Sequence, residues 1–128
     1  MPDREGFVMG AIDVLILILY TLGISLGQVQ FKMAADHARE HAAQGFATAM
    51  LGNLHFYAAI VLYAALTVVW VWLLTRIPLS RAYPFVVLSF VFTPMLAATL
   101  FGEALNPWYF AGLALIVAGL ALILAKAT

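Results

Sequence analysis

The sequence predicts an all-α integral membrane protein with a four-transmembrane-helix protomer, and three observations lead there. Hydrophobic residues make up 66% of the 128-residue chain and charged residues 9%, whereas a soluble domain carries about 25% charged residues. Mean hydropathy is +1.05, so a water-facing surface could not be assembled from this composition. Apolar stretches at residues 14–31, 54–75, 82–101 and 107–125 each approach the ~20 residues that carry a helix across ~30 Å of hydrocarbon. None alternates apolar and polar residues as barrel strands do. In lipid a helix satisfies its own backbone, and an open strand edge does not. Residues 1–128 therefore read as one membrane domain, with helices at about 10–33, 53–76, 81–102 and 107–126.

The first helix follows "MPDREGFVMGAID", where Arg4 stands against Asp3, Glu5 and Asp13. A secretory signal would open on a basic segment, so a retained helix is expected here. The connection that follows, about 34–52, is long and alanine-rich, with Asp36, Arg39 and Glu40 as its charges. Two arrangements fit it. Ala42, Phe46 and Met50 could lay a short helix on the bilayer surface, or the first span could simply continue as a solvated helix. "RIPLSR" joins the second and third spans closely enough to make them antiparallel, and "GEALN" leads to Pro107, which suits a first helical turn. Trp70, Trp72, Tyr83, Trp108 and Tyr109 fall near span ends, where interfacial aromatics anchor helices.

Arg4, Arg76, Arg81 and Lys126 fall on one side of the membrane, with Lys32 and Arg39 on the other. That small bias favours both termini in the cytoplasm and leaves room for molecules inserted in both directions. Zero formal net charge gives no reason to expect a nucleic-acid partner. The chain has no cysteine and so no thiolate metal site. His37, His41 and His55 form no "HExxH" set, no Walker-type glycine loop is present, and no serine or threonine has a base and orienting acid around it. No metal, cofactor or enzymatic activity is expected.

Polar side chains within the spans carry the remaining signal, since they are costly in lipid and usually face a partner helix or a cavity. Thr21, Ser25, Gln28 and Lys32 share one face of the first helix, with Asp13 close to the same stripe and Gly23 and Gly27 on an adjacent face. Lys32 alone could snorkel to the interface. Gln28 lies one turn deeper and needs a hydrogen-bond partner, either another helix or an anionic or sugar ligand. The third helix contains Pro84 and Pro94, with Ser89 and Thr93 near the second. Each proline frees a backbone carbonyl, and broken helices commonly border cavities. The two hydroxyls could patch that backbone or meet a ligand. Tyr83 could point toward Lys32 or belong to the aromatic girdle. In the last helix Ala111, Ala114, Ala118, Ala121 and Ala125 make a small-residue seam beside Gly112 and Gly119, the expected surface of a dimer.

"GQVQFKMAAD", "WVWLLTRIPLSRAYP" and "FGEALNPWYFAGLALIVAGLALI" resemble the EamA-like branch of the drug/metabolite transporter superfamily. Within it the chain is most similar to the small four-helix subunits of ArnE/ArnF type, which flip aminoarabinose-linked undecaprenyl phosphate. Gly27, Gln28 and Lys32 are the more discriminating part of the match. The resemblance implies a dimeric bundle of small multidrug resistance/EamA type and a lipid-linked anionic substrate moved between leaflets. Substrate-binding residues are then expected at Lys32, Gln28, Ser25, Thr21, Tyr83 and Ser89.

The small multidrug exporters are also similar in size, but they depend on a glutamate in mid-helix. Here "TLGISLG" has no acid, which leaves Asp13 and Glu103 as candidate ion-coupling groups. Three functions stand at this point. They are a flippase for a polyprenyl-phosphate-linked sugar, a proton-coupled multidrug or metabolite exporter, and a non-transporting membrane subunit. A four-helix protomer supplies half of an inverted-repeat transporter, so a second copy or a related small subunit is expected as partner.

Overall fold

A computed structural model describes residues 9–127, without the side chains of 126 and 127. Arg4 and the Lys126 side chain, both used in the charge tally above, lie outside that description. Helices α1 (Ala11–Glu40), α2 (Phe46–Leu51), α3 (Leu54–Arg76), α4 (Leu79–Ala82), α5 (Ser89–Phe101) and α6 (Pro107–Ala127) follow one another, with 3₁₀ turns at Ala42–Gln44 and Tyr83–Leu88. Four segments are long and apolar enough to cross a membrane: Ala11–Glu40, Leu54–Arg76, Leu79–Phe101 and Pro107–Ala125. The all-helical, four-span architecture read from the sequence is therefore present. Consecutive spans run in opposite directions, so Asp13, Arg76 and Tyr83 share one end and Lys32, Asn53 and Glu103 the other.

The first span continues past Lys32 to Glu40. Asp36 explains much of this, because it pairs with Lys32 one turn before it (3.2 Å) and with Arg39 after it (2.9 Å). Such i,i+3 and i,i+4 pairs favour helix on an exposed surface. The connection then turns at Gly45, with φ of +88°, and enters α2, where Phe46 and Leu51 are exposed. The first span thus continues as a helix to Glu40, and a separate short helix, Phe46–Leu51, follows it. Asn53, fully buried, ties the start of α3 to α1: its side-chain amide donates to the Ala34 carbonyl (2.8 Å), and its side-chain oxygen accepts from the Phe56 N–H (3.3 Å).

Close packing is concentrated at the Asp13 end. Met9, Leu17, Leu73, Ile77, Ala82 and Phe85 form the buried cluster there, and Tyr20 stacks on Trp70 at 5.1 Å. α1 approaches α3 closely through Gly23 and Gly27. A Cβ on Gly23 would come within 2.9 Å of the Leu66 side chain, and one on Gly27 would meet the Tyr63 ring, so the small-residue pair is used within the protomer. α6 makes a looser contact. It buries Leu120 and leaves Ala111, Ala114, Ala118, Ala121 and Ala125 exposed.

Candidate substrate groove between α1 and α5

The polar stripe of α1 divides at about its middle. Thr21 and Ser25 are fully buried. The Thr21 hydroxyl lies 2.7 Å from the Leu17 carbonyl and 3.2 Å from that of Phe85, so it joins α1 to the 3₁₀ segment. The Ser25 hydroxyl accepts from Thr93 across to α5 at 3.0 Å. Both groups are therefore engaged between helices. Gln28 and Lys32, further along the same face, emerge where α1 and α5 separate.

Two adjoining depressions occupy that opening. One, of about 200 Å³, is lined by Gln28, Val29, Lys32, Thr93, Ala97, Phe101 and Glu103. The other, of about 260 Å³, is lined by Ile24, Gln28, Ser89, Phe90, Thr93, Pro94 and Tyr109. Gln28 and Thr93 belong to both, so a ligand in one reaches the edge of the other. Pro94 lies inside α5 and cannot donate to the Phe90 carbonyl; both residues border the second depression. Apart from Gln28, Lys32, Ser89, Thr93, Glu103 and Tyr109, the lining is apolar.

Lys32 is half-buried, and its ammonium pairs with Asp36. An ammonium has three donors, and Asp36 also holds Arg39, so Lys32 keeps donors and charge for an anion. Gln28 donates to the Tyr63 hydroxyl at 2.6 Å, and that hydroxyl donates to the Ile24 carbonyl at 3.2 Å. Tyr63 was not singled out by sequence reasoning. The available signal was a hydroxyl in mid-span of α3, at a depth matching Gln28.

Of the remaining sequence-derived residues, Ser89 lines the second depression and Glu103 the first. Tyr83 lies at the other end of the bundle, 61% exposed and edge-on to Trp70. Asp13 is there too, 3.3 Å from Arg76. Among the described residues no group of three or more His, Cys, Asp or Glu side chains could hold a metal ion.

No family model matches the chain, and no solved structure matches it. Curated relatives do. A Pseudomonas paraeruginosa protein and a Pseudomonas aeruginosa protein are each 38% identical over 108 residues, covering 84% of this chain and 93% of the relative. A Pectobacterium atrosepticum protein is 34% identical over 109 residues, covering 85% and 95%. Each is named as the probable 4-amino-4-deoxy-L-arabinose-phosphoundecaprenol flippase subunit ArnE. The chain belongs to the ArnE family.

The kinship agrees with the resemblance drawn from Gly27, Gln28 and Lys32. The "TLGISLG" stretch of α1 packs against α3 and α5 without any carboxylate.

Proposed function

We propose that this ArnE-family chain is one subunit of a flippase that carries a polyprenyl-phosphate-linked aminoarabinose-like sugar across a bacterial inner membrane. The observation that carries the reading is the placement of Lys32 and Gln28 on a groove open between α1 and α5, in a chain whose relatives bear the flippase name. The ammonium of Lys32 meets the phosphodiester, and Gln28 offers an amide to the sugar or to a phosphate oxygen. Ser89 lines the inner depression. The polyprenyl tail stays in lipid, so the site need only enclose the headgroup.

Transport proceeds by alternating access between two protomers of opposite orientation. The partner is a second copy or a related small subunit, a view supported by the word "subunit" in the relatives' names and by the outward face of Ala111, Ala114, Ala118 and Ala121. In this protomer the Asp13 end is packed and the Lys32 end is open. With cytoplasmic termini the open end faces the periplasm, and an inverted partner presents the reverse.

Binding of a polyprenyl phosphate to the purified protein in nanodiscs tests the reading. Lys32→Ala should weaken it by about tenfold or more, the scale of one charge-assisted contact, and salt should weaken the wild type. Unchanged affinity in Lys32→Ala would overturn the assignment. A cysteine placed at Ala118, in a chain with none of its own, should cross-link to a partner in native membranes.

A further inference from the structure

The groove that carries Lys32 also carries a carboxylate. Glu103 lies on the same lining as Lys32, Thr93 and Phe101, and the backbone explains its position. α5 ends at Gly102, whose φ of +66° is left-handed, a conformation that glycine adopts without the Cβ penalty of other residues. The N–H groups of Gly102 and Glu103 both return to the Ala97 carbonyl, Glu103 at 3.4 Å, as in helices that close on a glycine. The chain is thereby reversed and fixed where Glu103 meets the groove. Among the described residues Glu103 makes no ion pair, and Lys32 pairs with Asp36. Opposite charges therefore stand on one groove, Lys32 on α1 and Glu103 in the turn after α5, without neutralising each other.

We infer that Glu103 determines specificity by receiving the ammonium group of an amino sugar, so that the groove selects a zwitterionic headgroup over a neutral sugar on the same lipid. The inference rests on the flippase reading above and deepens it. A 4-amino group lies across the sugar from the carbon that carries the phosphodiester. The two charges must then be met at separate points, an anion by Lys32 on α1 and a cation by Glu103 just beyond α5. A neutral or N-acylated sugar would leave the carboxylate without a counter-charge while displacing its water, and a partly desolvated charge without a partner is costly.

The test measures binding of two probes to the full chain in nanodiscs, together with any subunit that co-purifies. One is polyprenyl-phosphate-linked 4-amino-4-deoxyarabinose, and the other is its N-acetyl derivative, which keeps the phosphodiester and removes the cation. Wild type should prefer the amine by about tenfold. Glu103→Gln should bring the two probes within about twofold of each other, by weakening the amine and by sparing the N-acetyl probe the cost of a desolvated carboxylate, and N-acetyl binding at least as tight as in wild type would show an intact fold. Lys32→Ala should weaken both probes alike. An undiminished amine preference in Glu103→Gln, or an equal loss for both probes, overturns the inference. If Lys32→Ala has its effect while Glu103→Gln has none, the inference fails and the flippase reading stands. If wild type binds neither probe, both fail.

Discussion

The side-chain amide of Gln28 donates to the Tyr63 hydroxyl at 2.6 Å, and the same hydroxyl reaches the Ile24 carbonyl at 3.2 Å. The amide thus faces the groove while held from behind by α3. Tyr63→Phe removes the acceptor and the second bond together. The expected outcome is a loss of about 0.5–1.5 kcal/mol per bond in stability, read as a lower melting temperature in detergent. Affinity for polyprenyl phosphate should also fall several-fold, because Gln28 is no longer oriented.

Gly27 makes this arrangement possible. A Cβ there would press on the Tyr63 ring, with one ring carbon at 2.9 Å, while a Cβ on Gly23 would meet only the tip of Leu66. Gly27→Ala should therefore cost about 1–3 kcal/mol, as overpacking does. Gly23→Ala should cost less, because the Leu66 side chain can rotate away. Equal melting temperatures for the two variants would show that α1 and α3 are not held at this distance.

These two residues also show how far the sequence could be read. The four spans were legible because lipid leaves an apolar chain few ways to satisfy its backbone, and the Gly23–Gly27 pair signalled a close approach without saying to which helix. The polar stripe was legible as a face, since spacing fixes a face. It could not reveal that Thr21 and Ser25 lie where neighbours touch and Gln28 and Lys32 where they part, because helix separation depends on the partners' tilts. Tyr63 stayed hidden for a related reason. A tyrosine in an apolar helix looks like any interfacial aromatic until its depth relative to Gln28 is known. The run of α1 to Glu40 was one of two open arrangements, decided by the Asp36 pairs.

Asp36 should restrain anion binding at Lys32. The pair is partly exposed, with side-chain accessibilities of 39% for Lys32 and 28% for Asp36, so its own contribution to stability is at most about 1 kcal/mol. Asp36→Asn frees the ammonium and removes a negative charge beside the groove. Polyprenyl phosphate should bind about two- to fivefold more tightly at low salt, and the gain should shrink at high salt as the charges are screened. Titrations of wild type and Asp36→Asn at two ionic strengths check this, and a weaker-binding variant would count against Lys32 as the phosphate contact.

At the opposite end, Asp13 and Arg76 lie 3.3 Å apart, and the Arg76 guanidinium lies 5.1 Å from the centroid of the Trp72 ring. Asp13 is the more buried partner, 16% accessible against 46% for Arg76, and the pair joins the first turn of α1 to the last of α3 beside the packed Leu17–Leu73–Ile77 cluster. It acts as a clasp on the closed end. Asp13→Asn should cost about 1 kcal/mol or less, given the exposure of the arginine. A cysteine introduced at Ile77, which is 1% exposed, should react several-fold faster with a thiol reagent when Asp13 is also changed to Asn, since local opening sets that rate. Polyprenyl phosphate affinity at Lys32 should stay within about twofold. Transport should persist in Asp13→Asn, because a clasp modulates the exchange between states. Complete loss of transport with normal binding would instead make Asp13 a coupling carboxylate and return the chain to the proton-driven exporters it otherwise departs from.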